Sequence, residues 1–124
     1  MLKKSENNTK YKVYAVIAPA IVSQCRFGRP TQVVTAIHKL GFHQVVEAAL
    51  GADITLYNEA LEWKEKGLMT TSCCPSYVAF IEKNFPELVQ HISHSVSPMI
   101  LTAQMIKKSD PTAKCIFIGP CASK

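Results

Sequence analysis

Two short cysteine-bearing segments have the residue types and positions to do metal or thiol chemistry. The first is TSCCP at residues 71–75, just before a predicted helix, and the second is GPC at residues 119–121, after the last predicted strand. A helix N-terminus offers unpaired N–H groups and a partial positive charge, and both favour a thiolate over a thiol. From spacing alone, Cys74 and Cys121 could share a soft-metal site; the alternative is that all the cysteines are small buried hydrophobic residues.

The cysteine count indicates the class of chemistry. The chain has 124 residues and five cysteines, an odd number that includes one adjacent pair. Adjacent cysteines rarely bridge each other, so this pattern is more typical of metal binding or thiol chemistry than of disulfides. No apolar run approaches the ~20 residues that span a membrane, and the polar N-terminus lacks a secretory signal. We therefore expect a cytoplasmic protein that binds no membrane.

The charge pattern argues against nucleic-acid binding. The formal net charge is +5, and four of the lysines lie within the first twelve residues. A nucleic-acid surface needs clustered basic residues interleaved with aromatic ones, and the sequence has no such stripe.

The elements that must position the cysteines alternate between strands and helices. Strands are expected at residues 11–17, 43–48, 68–72 and 113–118, and helices at 30–40, 52–66, 75–85 and 98–108. This order predicts an α/β fold, a mostly parallel sheet of about four strands flanked by helices. Ligands bind beyond the carboxyl ends of such strands, where residues 18–19, 73–74 and 119–121 all fall. Residues 1 to about 10 are expected to be a flexible tail or a boundary introduced by cloning, and residues 11–124 one folded unit.

These motifs resemble those of a known family. TSCCP, followed by Pro-Cys-x-x-Lys at residues 120–124, is similar to signature motifs of the iron-only hydrogenases, and the similarity spans roughly residues 13–124. The resemblance implies one lobe of the hydrogenase catalytic domain. It also implies reversible H₂ oxidation and proton reduction at the H-cluster, a 4Fe–4S cluster joined to a two-iron subsite. Electrons would be exchanged with a ferredoxin-like carrier.

The resemblance also implies roles for single residues. Cys74 and Cys121 are similar to ligands of the 4Fe–4S cluster, Cys73 to the thiol that passes protons to the two-iron site, and Lys124 to the lysine that donates to a cyanide. The other implied roles are a proton relay of Glu59, Glu62 and Ser93, and a pocket lined by Ala18, Pro19, Pro98 and Pro120. Without the resemblance, both glutamates would be read as an ordinary solvated helix face.

The sequence departs from the family pattern in two ways. It ends at Lys124, before the motif that carries the family's other two cluster ligands. We therefore expect this chain alone to lack a properly bound cluster, to be inactive, to need the missing C-terminal lobe as a partner, and to self-associate through exposed apolar surface. Gly119 stands where the best-known catalytic members have methionine, and Tyr77 replaces a usual tryptophan.

Two alternatives remain open from the sequence. The chain could be a non-catalytic sensory or iron–sulfur-assembly relative, which Gly119 favours, although Cys73 and Lys124 argue against an assembly role. It could also be a zinc module that uses Cys73, Cys74, Cys121 and a histidine. Cys25 and Cys115 match no ligand position of the family, and we expect both to be structural, with Cys115 in a buried strand.

Overall fold

A three-stranded parallel sheet organises the chain in the computed structural model, which describes residues 2–24 and 28–123. The strands are β1 (Val13–Ile17), β2 (Gln44–Glu47) and β3 (Lys114–Ile118), in the order β2-β1-β3. Five helices accompany them in the described ranges: α1 (Ile21–Gln24), α2 (Pro30–Lys39), α3 (Ala49–Lys66), α4 (Pro75–Asn84) and α5 (Pro98–Ser109). Two 3₁₀ segments, Leu2–Ser5 and Pro86–His91, complete the assignment. The predicted α/β class is confirmed.

The central strand β1 is buried on both of its faces. Side chains of successive strand residues point to opposite sides of a sheet. Val13, Ala15 and Ile17 therefore pack on one side with Ile37 of α2, whereas Val16 packs on the other with Ile106 of α5. A parallel sheet covered on both faces needs such continuously apolar strands.

Proline and glycine mark the helix boundaries as the sequence predicts. Pro30, Pro75 and Pro98 each occupy the first position of a helix, where the missing N–H would have had no partner. After α2 and α3, Gly41 and Gly67 adopt φ values of +98° and +75°, in the left-handed region that favours glycine.

Helix α3 approaches α5 closely because one of its residues has no side chain. Gly51 is buried, and a Cβ placed there would clash with the Pro98 carbonyl oxygen and the Thr102 hydroxyl. One turn further, the Thr55 hydroxyl lies 3.2 Å from the Val96 carbonyl oxygen. These contacts fix the start of α5 against α3.

The predicted strand at residues 68–72 is wrong, so the described sheet has three strands rather than about four. Thr70 forms only an isolated parallel bridge with Ile92, through bonds of 2.8 Å from Thr70 N–H to the His91 carbonyl and from Ser93 N–H to the Thr70 carbonyl. The segment therefore pairs with the chain that follows α4 and does not join the sheet.

The described residues before β1 make specific contacts with the rest of the chain. Ser5 is 1% exposed, and the Asn8 side chain accepts from Val13 N–H at 2.9 Å and donates to the Gly41 carbonyl at 3.0 Å. These bonds join the segment to the start of β1 and to the end of α2. The domain boundary near residue 10 stays a prediction. No described helix is long and apolar enough to cross a membrane.

Candidate functional site

The carboxyl ends of β1 and β3 form one wall of the candidate site. The Ala18 N–H donates to the Ile118 carbonyl at 2.9 Å, which places Ala18 and Pro19 next to the turn that begins at Gly119. A Cβ at Gly119 would lie about 2.8 Å from the Phe117 ring and 3.0 Å from the Ala18 Cβ. A larger residue at position 119 therefore requires the Phe117 ring to move.

The TSCCP segment reaches the site from the N-terminus of α4 and not from a strand of the sheet. Cys74 is the N-cap of α4 in an extended conformation, and Pro75 is the first helical residue. The Ser72 hydroxyl donates to the Ser95 carbonyl at 2.6 Å. On either side of the segment, the Thr70 hydroxyl donates to the Tyr77 hydroxyl at 2.8 Å. Tyr77, in the place of the family's usual tryptophan, thus contributes a polar contact as well as an aromatic ring.

A side-chain hydrogen bond brings the two cysteine-bearing segments into contact. The hydroxyls of Ser76 and Ser123 are bonded to each other although 47 residues separate them. Each serine lies two positions after a predicted ligand, Cys74 or Cys121. Cys74 is half-buried, whereas Cys121 is exposed.

Glu62 of α3 is the centre of a polar network rather than part of a solvated helix face. It accepts from Lys66 Nζ and from the Ser93 hydroxyl, both at 2.6 Å, and from His94 N–H at 3.1 Å. Its side chain is only 14% exposed. Mainly the bond with Lys66, and then that with Ser93, lower the Glu62 pKa to about 2, so the group is ionised at neutral pH.

Glu59, one helical turn before Glu62, bonds to the TSCCP segment through a residue that the sequence did not single out. The Thr71 hydroxyl donates to Glu59 Oε1 at 2.8 Å and accepts from the Cys73 N–H at 3.4 Å. The structure thus connects Glu59 to the backbone of Cys73 and Glu62 to Ser93, by two separate sets of bonds. The signal available in the sequence was a hydroxyl residue two positions before the cysteine pair.

One cavity, lined by both polar and apolar side chains, has Cys73 and Ser93 in its walls. Its volume is about 390 Å³. Its polar lining comprises Ser72, Cys73, Glu82, Ser93, Ser95 and Ser97. Of these, Glu82 and the additional serines were not identified from the sequence, because they become neighbours only when α4 packs beside residues 92–97.

Among the described residues, the remaining predicted site residues do not line the cavity of Cys73 and Ser93. Ala18 and Pro19 line a separate, mainly apolar cavity of about 160 Å³, and Pro98 begins α5 against Gly51. Lys124 and Cys25 lie outside the described residues. Cys115 is half-buried in β3, where desolvation raises the pKa of its thiol, and no site contact involves it.

The donor set fits part of an iron–sulfur site. Thiolates are the ligands that such clusters prefer, and the cluster needs four, whereas Cys74 and Cys121 provide two. The described residues contain no group of three His, Cys, Asp or Glu side chains that could hold a metal ion. The zinc alternative therefore finds no support in the part of the chain that the structure describes. The cysteines fit an incomplete ligand set that needs donors from elsewhere.

Comparisons with known proteins agree with the motifs. Residues 11–124 match the family model "Iron only hydrogenase large subunit, C-terminal domain". The chain is 30% identical to the periplasmic Fe hydrogenase large subunit of Nitratidesulfovibrio vulgaris, over 99% of this chain and 35% of that protein. It is also 36% identical to the cytosolic Fe-S cluster assembly factor NAR1 of Kluyveromyces lactis, over 49% of this chain and 13% of that protein.

Solved structures show the same fold. An FeFe-hydrogenase structure that concerns stepwise H-cluster assembly superposes with a TM-score of 0.82 at 26% identity, over 98% of this chain and 36% of that chain. A variant of the FeFe-hydrogenase HydA1 from Chlamydomonas reinhardtii gives 0.81 at 25% identity, over 95% and 35%. The chain thus spans about a third of the length of these hydrogenase relatives, and its match covers 13% of the NAR1 factor. It belongs to the family of the iron-only hydrogenase large subunit, C-terminal domain.

Proposed function

We propose that this chain forms part of an iron-only hydrogenase that catalyses reversible H₂ oxidation and proton reduction. The observation that carries the proposal is the contact between the TSCCP and Pro-Cys segments through Ser76 and Ser123. It supports the proposal because a shared cluster requires both segments at one place. The bond between Glu62 and Ser93, two predicted relay residues, is a second support.

Cys74 and Cys121 would hold the 4Fe–4S part of the H-cluster, together with ligands from the C-terminal lobe. When bound, the H-cluster would supply the site at which protons are reduced, with electrons that come from the carrier. Ala18, Pro19, Pro98 and Pro120 would shape the pocket around it. Lys124, as a cation, would hold an anionic ligand of the cluster.

The chain's own residues would hold and move protons. Cys73 would carry a proton on Sγ, and the cavity of about 390 Å³ that Cys73 and Ser93 both line would hold the water that links the two side chains. Ser93 donates to Glu62, which is ionised at neutral pH and is kept so mainly by Lys66. The Glu59 carboxylate, bonded to the Thr71 hydroxyl, would be a second proton acceptor within reach of the TSCCP segment.

The whole protein would exchange electrons with a ferredoxin-like carrier, and the chain alone would be inactive because its thiolate set is incomplete. A cytoplasmic location and the absence of nucleic-acid partners belong to the same proposal.

The test uses the whole protein, matured with its cluster. We expect H₂ production from a reduced electron donor, measured by gas chromatography. Cys74→Ser and Cys121→Ser should lose bound iron, measured by iron content and visible absorption. Cys73→Ser should keep iron and lose most of the turnover. Cys115→Ser is the matched control and should change neither. A matured protein with full iron content and no H₂ turnover contradicts the catalytic proposal.

A second candidate is a non-catalytic role in sensing or in iron–sulfur assembly. Two observations favour it: the similarity to the NAR1 assembly factor, and the space at position 119 that is already taken by Phe117. The experiment above separates the two roles, because this second role predicts bound iron without turnover.

A further inference from the structure

The hydrogen bond between Ser76 and Ser123 joins the two segments that contain the predicted cluster ligands. Ser76 lies in the first turn of α4, and Ser123 lies in the turn after β3. Among the described residues, no other hydrogen bond joins residues 71–76 to residues 119–123. Ser76 and Ser123 are both exposed, so their hydroxyls could bond to water instead of to each other. The pair therefore connects two turns that hold predicted ligands.

We propose that Ser76 and Ser123 are positioning residues that form a clasp, a hydroxyl pair that holds Cys74 and Cys121 close together before any metal binds. The proposal rests on the proposed function only for the purpose of the clasp. A site that is assembled in advance loses less conformational freedom when its ligand binds. The clasp would thus lower the cost of taking up a thiophilic group between two turns that are distant in sequence.

The clasp consists of one hydrogen bond, and this determines the expected effect of removing either hydroxyl. The two hydroxyls act through one bond, so removing either should have the same effect as removing both. A net gain typical of one hydrogen bond corresponds to a roughly two- to tenfold change in the population of the closed arrangement. The intrinsic reactivity of each thiol should not change, because neither serine donates to a cysteine sulfur in the described structure.

The test measures the proximity of the two thiols in the metal-free chain. Cys25→Ser, Cys73→Ser and Cys115→Ser together leave Cys74 and Cys121 as the two reactive thiols. Dibromobimane becomes fluorescent when it bridges two neighbouring thiols, and monobromobimane reports the reactivity of each thiol alone. The bridging rate is compared between this starting chain and the serine variants, with the fold of each checked by circular dichroism.

We expect Ser76→Ala and Ser123→Ala to slow bridging roughly two- to tenfold without changing monobromobimane labelling. The double alanine variant should be no slower than either single variant, and Ser76→Thr, which keeps the hydroxyl, should restore the rate. Ser109→Ala is the matched control, because that hydroxyl bonds only within its own helix at 3.5 Å.

The outcomes separate the clasp from the proposed function. Fast bridging in the starting chain that is unchanged in Ser76→Ala overturns the clasp and leaves the hydrogenase proposal intact. Equal slowing by Ser109→Ala, or no rescue by Ser76→Thr, also overturns the clasp. If dibromobimane does not bridge Cys74 and Cys121 in the starting chain, the two thiols are not close together, and both proposals are contradicted.

Discussion

At the scale of single residues, the two glutamates of α3 have different surroundings although they are one helical turn apart. Glu62 has three donors around it and a strongly lowered pKa, whereas Glu59 accepts from the exposed Thr71. The neighbours of each group, more than its identity, decide what it can do.

The pKa of Glu62 predicts a pH-dependent contribution to stability. Its folded-state pKa of about 2 lies below the ordinary 4.5, so the stabilisation is complete above about pH 4.5 and is lost as the pH falls towards 2. Glu62→Gln should lower the free energy of unfolding by about 1 kcal/mol at pH 7, because its partner Lys66 is partly open to solvent. Urea unfolding across this pH range measures the difference, which should shrink below pH 4.5.

Glu65→Gln on the same helix is the matched control for this measurement and should show a much smaller loss at pH 7. A difference between the starting chain and Glu62→Gln that stays constant down to pH 2 would show that the lowered pKa does not stabilise the fold.

Thr71 predicts a second effect at the residue scale, in the matured whole protein. Thr71→Val removes the donor to Glu59 and the acceptor for the Cys73 N–H while keeping the shape of the side chain. We expect H₂ production to fall roughly tenfold, since both groups lose their common partner. Thr71→Ser should restore the rate, and the iron content should be the same in all three proteins. Equal rates of H₂ production in Thr71→Val and the unchanged protein would show that the Thr71 hydroxyl does not contribute to turnover.

At the scale of elements, the site depends on how closely α3 and α5 pack. Gly51 permits the approach, and Thr55 adds a bond to the segment before Pro98. The same helix α3 carries both glutamates on the side that faces residues 70–95. A shift of α3 would therefore move both glutamates and the start of α5 together.

Gly51→Ala should weaken this packing. The new methyl group would contact the Pro98 carbonyl and the Thr102 hydroxyl, and overpacking of this kind costs about 1–3 kcal/mol. Denaturant unfolding measures the loss. Asn58→Ala, at an exposed position of the same helix, is the control, and helix propensity predicts a neutral or slightly stabilising effect. An unchanged free energy in Gly51→Ala would mean that α3 and α5 are not held at this distance.

At the scale of the whole molecule, apolar side chains are exposed along α3 and α4. Leu56 and Trp63, two helical turns apart on α3, are 67% and 59% exposed. The rings of Phe80 on α4 and of Phe85, the residue after α4, lie 5.8 Å apart and are also exposed. Large apolar side chains that stay exposed in this way are typical of faces that bind other protein.

This surface predicts that the chain associates with itself. We expect the average mass measured by light scattering to rise above 13.7 kDa as the concentration increases. Trp63→Glu should reduce the association, because it places a charge in the apolar face. Asn58→Glu adds the same charge at another exposed position of α3 and should have less effect. A chain that stays monomeric at high concentration would contradict the prediction.

The sequence by itself determined the family, the α/β class and most helix boundaries. TSCCP, Pro-Cys-x-x-Lys and the prolines and glycines at helix ends are local features, so they can be read without knowing what lies across the fold. The expected strand at residues 68–72 failed because its local pattern does not state which segment it pairs with. Residues 91–93 supply those partners.

Only the tertiary structure decided which predicted residues meet. The contact of Ser76 with Ser123, the donor from Thr71 to Glu59 and the bond of Ser93 to Glu62 each join residues at least 12 positions apart. Such pairs depend on how the helices pack on the sheet, and hydroxyl residues carry no pattern that identifies a distant partner. The cysteine motifs could therefore be recognised in the sequence, whereas the hydrogen bonds around them could be seen only in the folded chain.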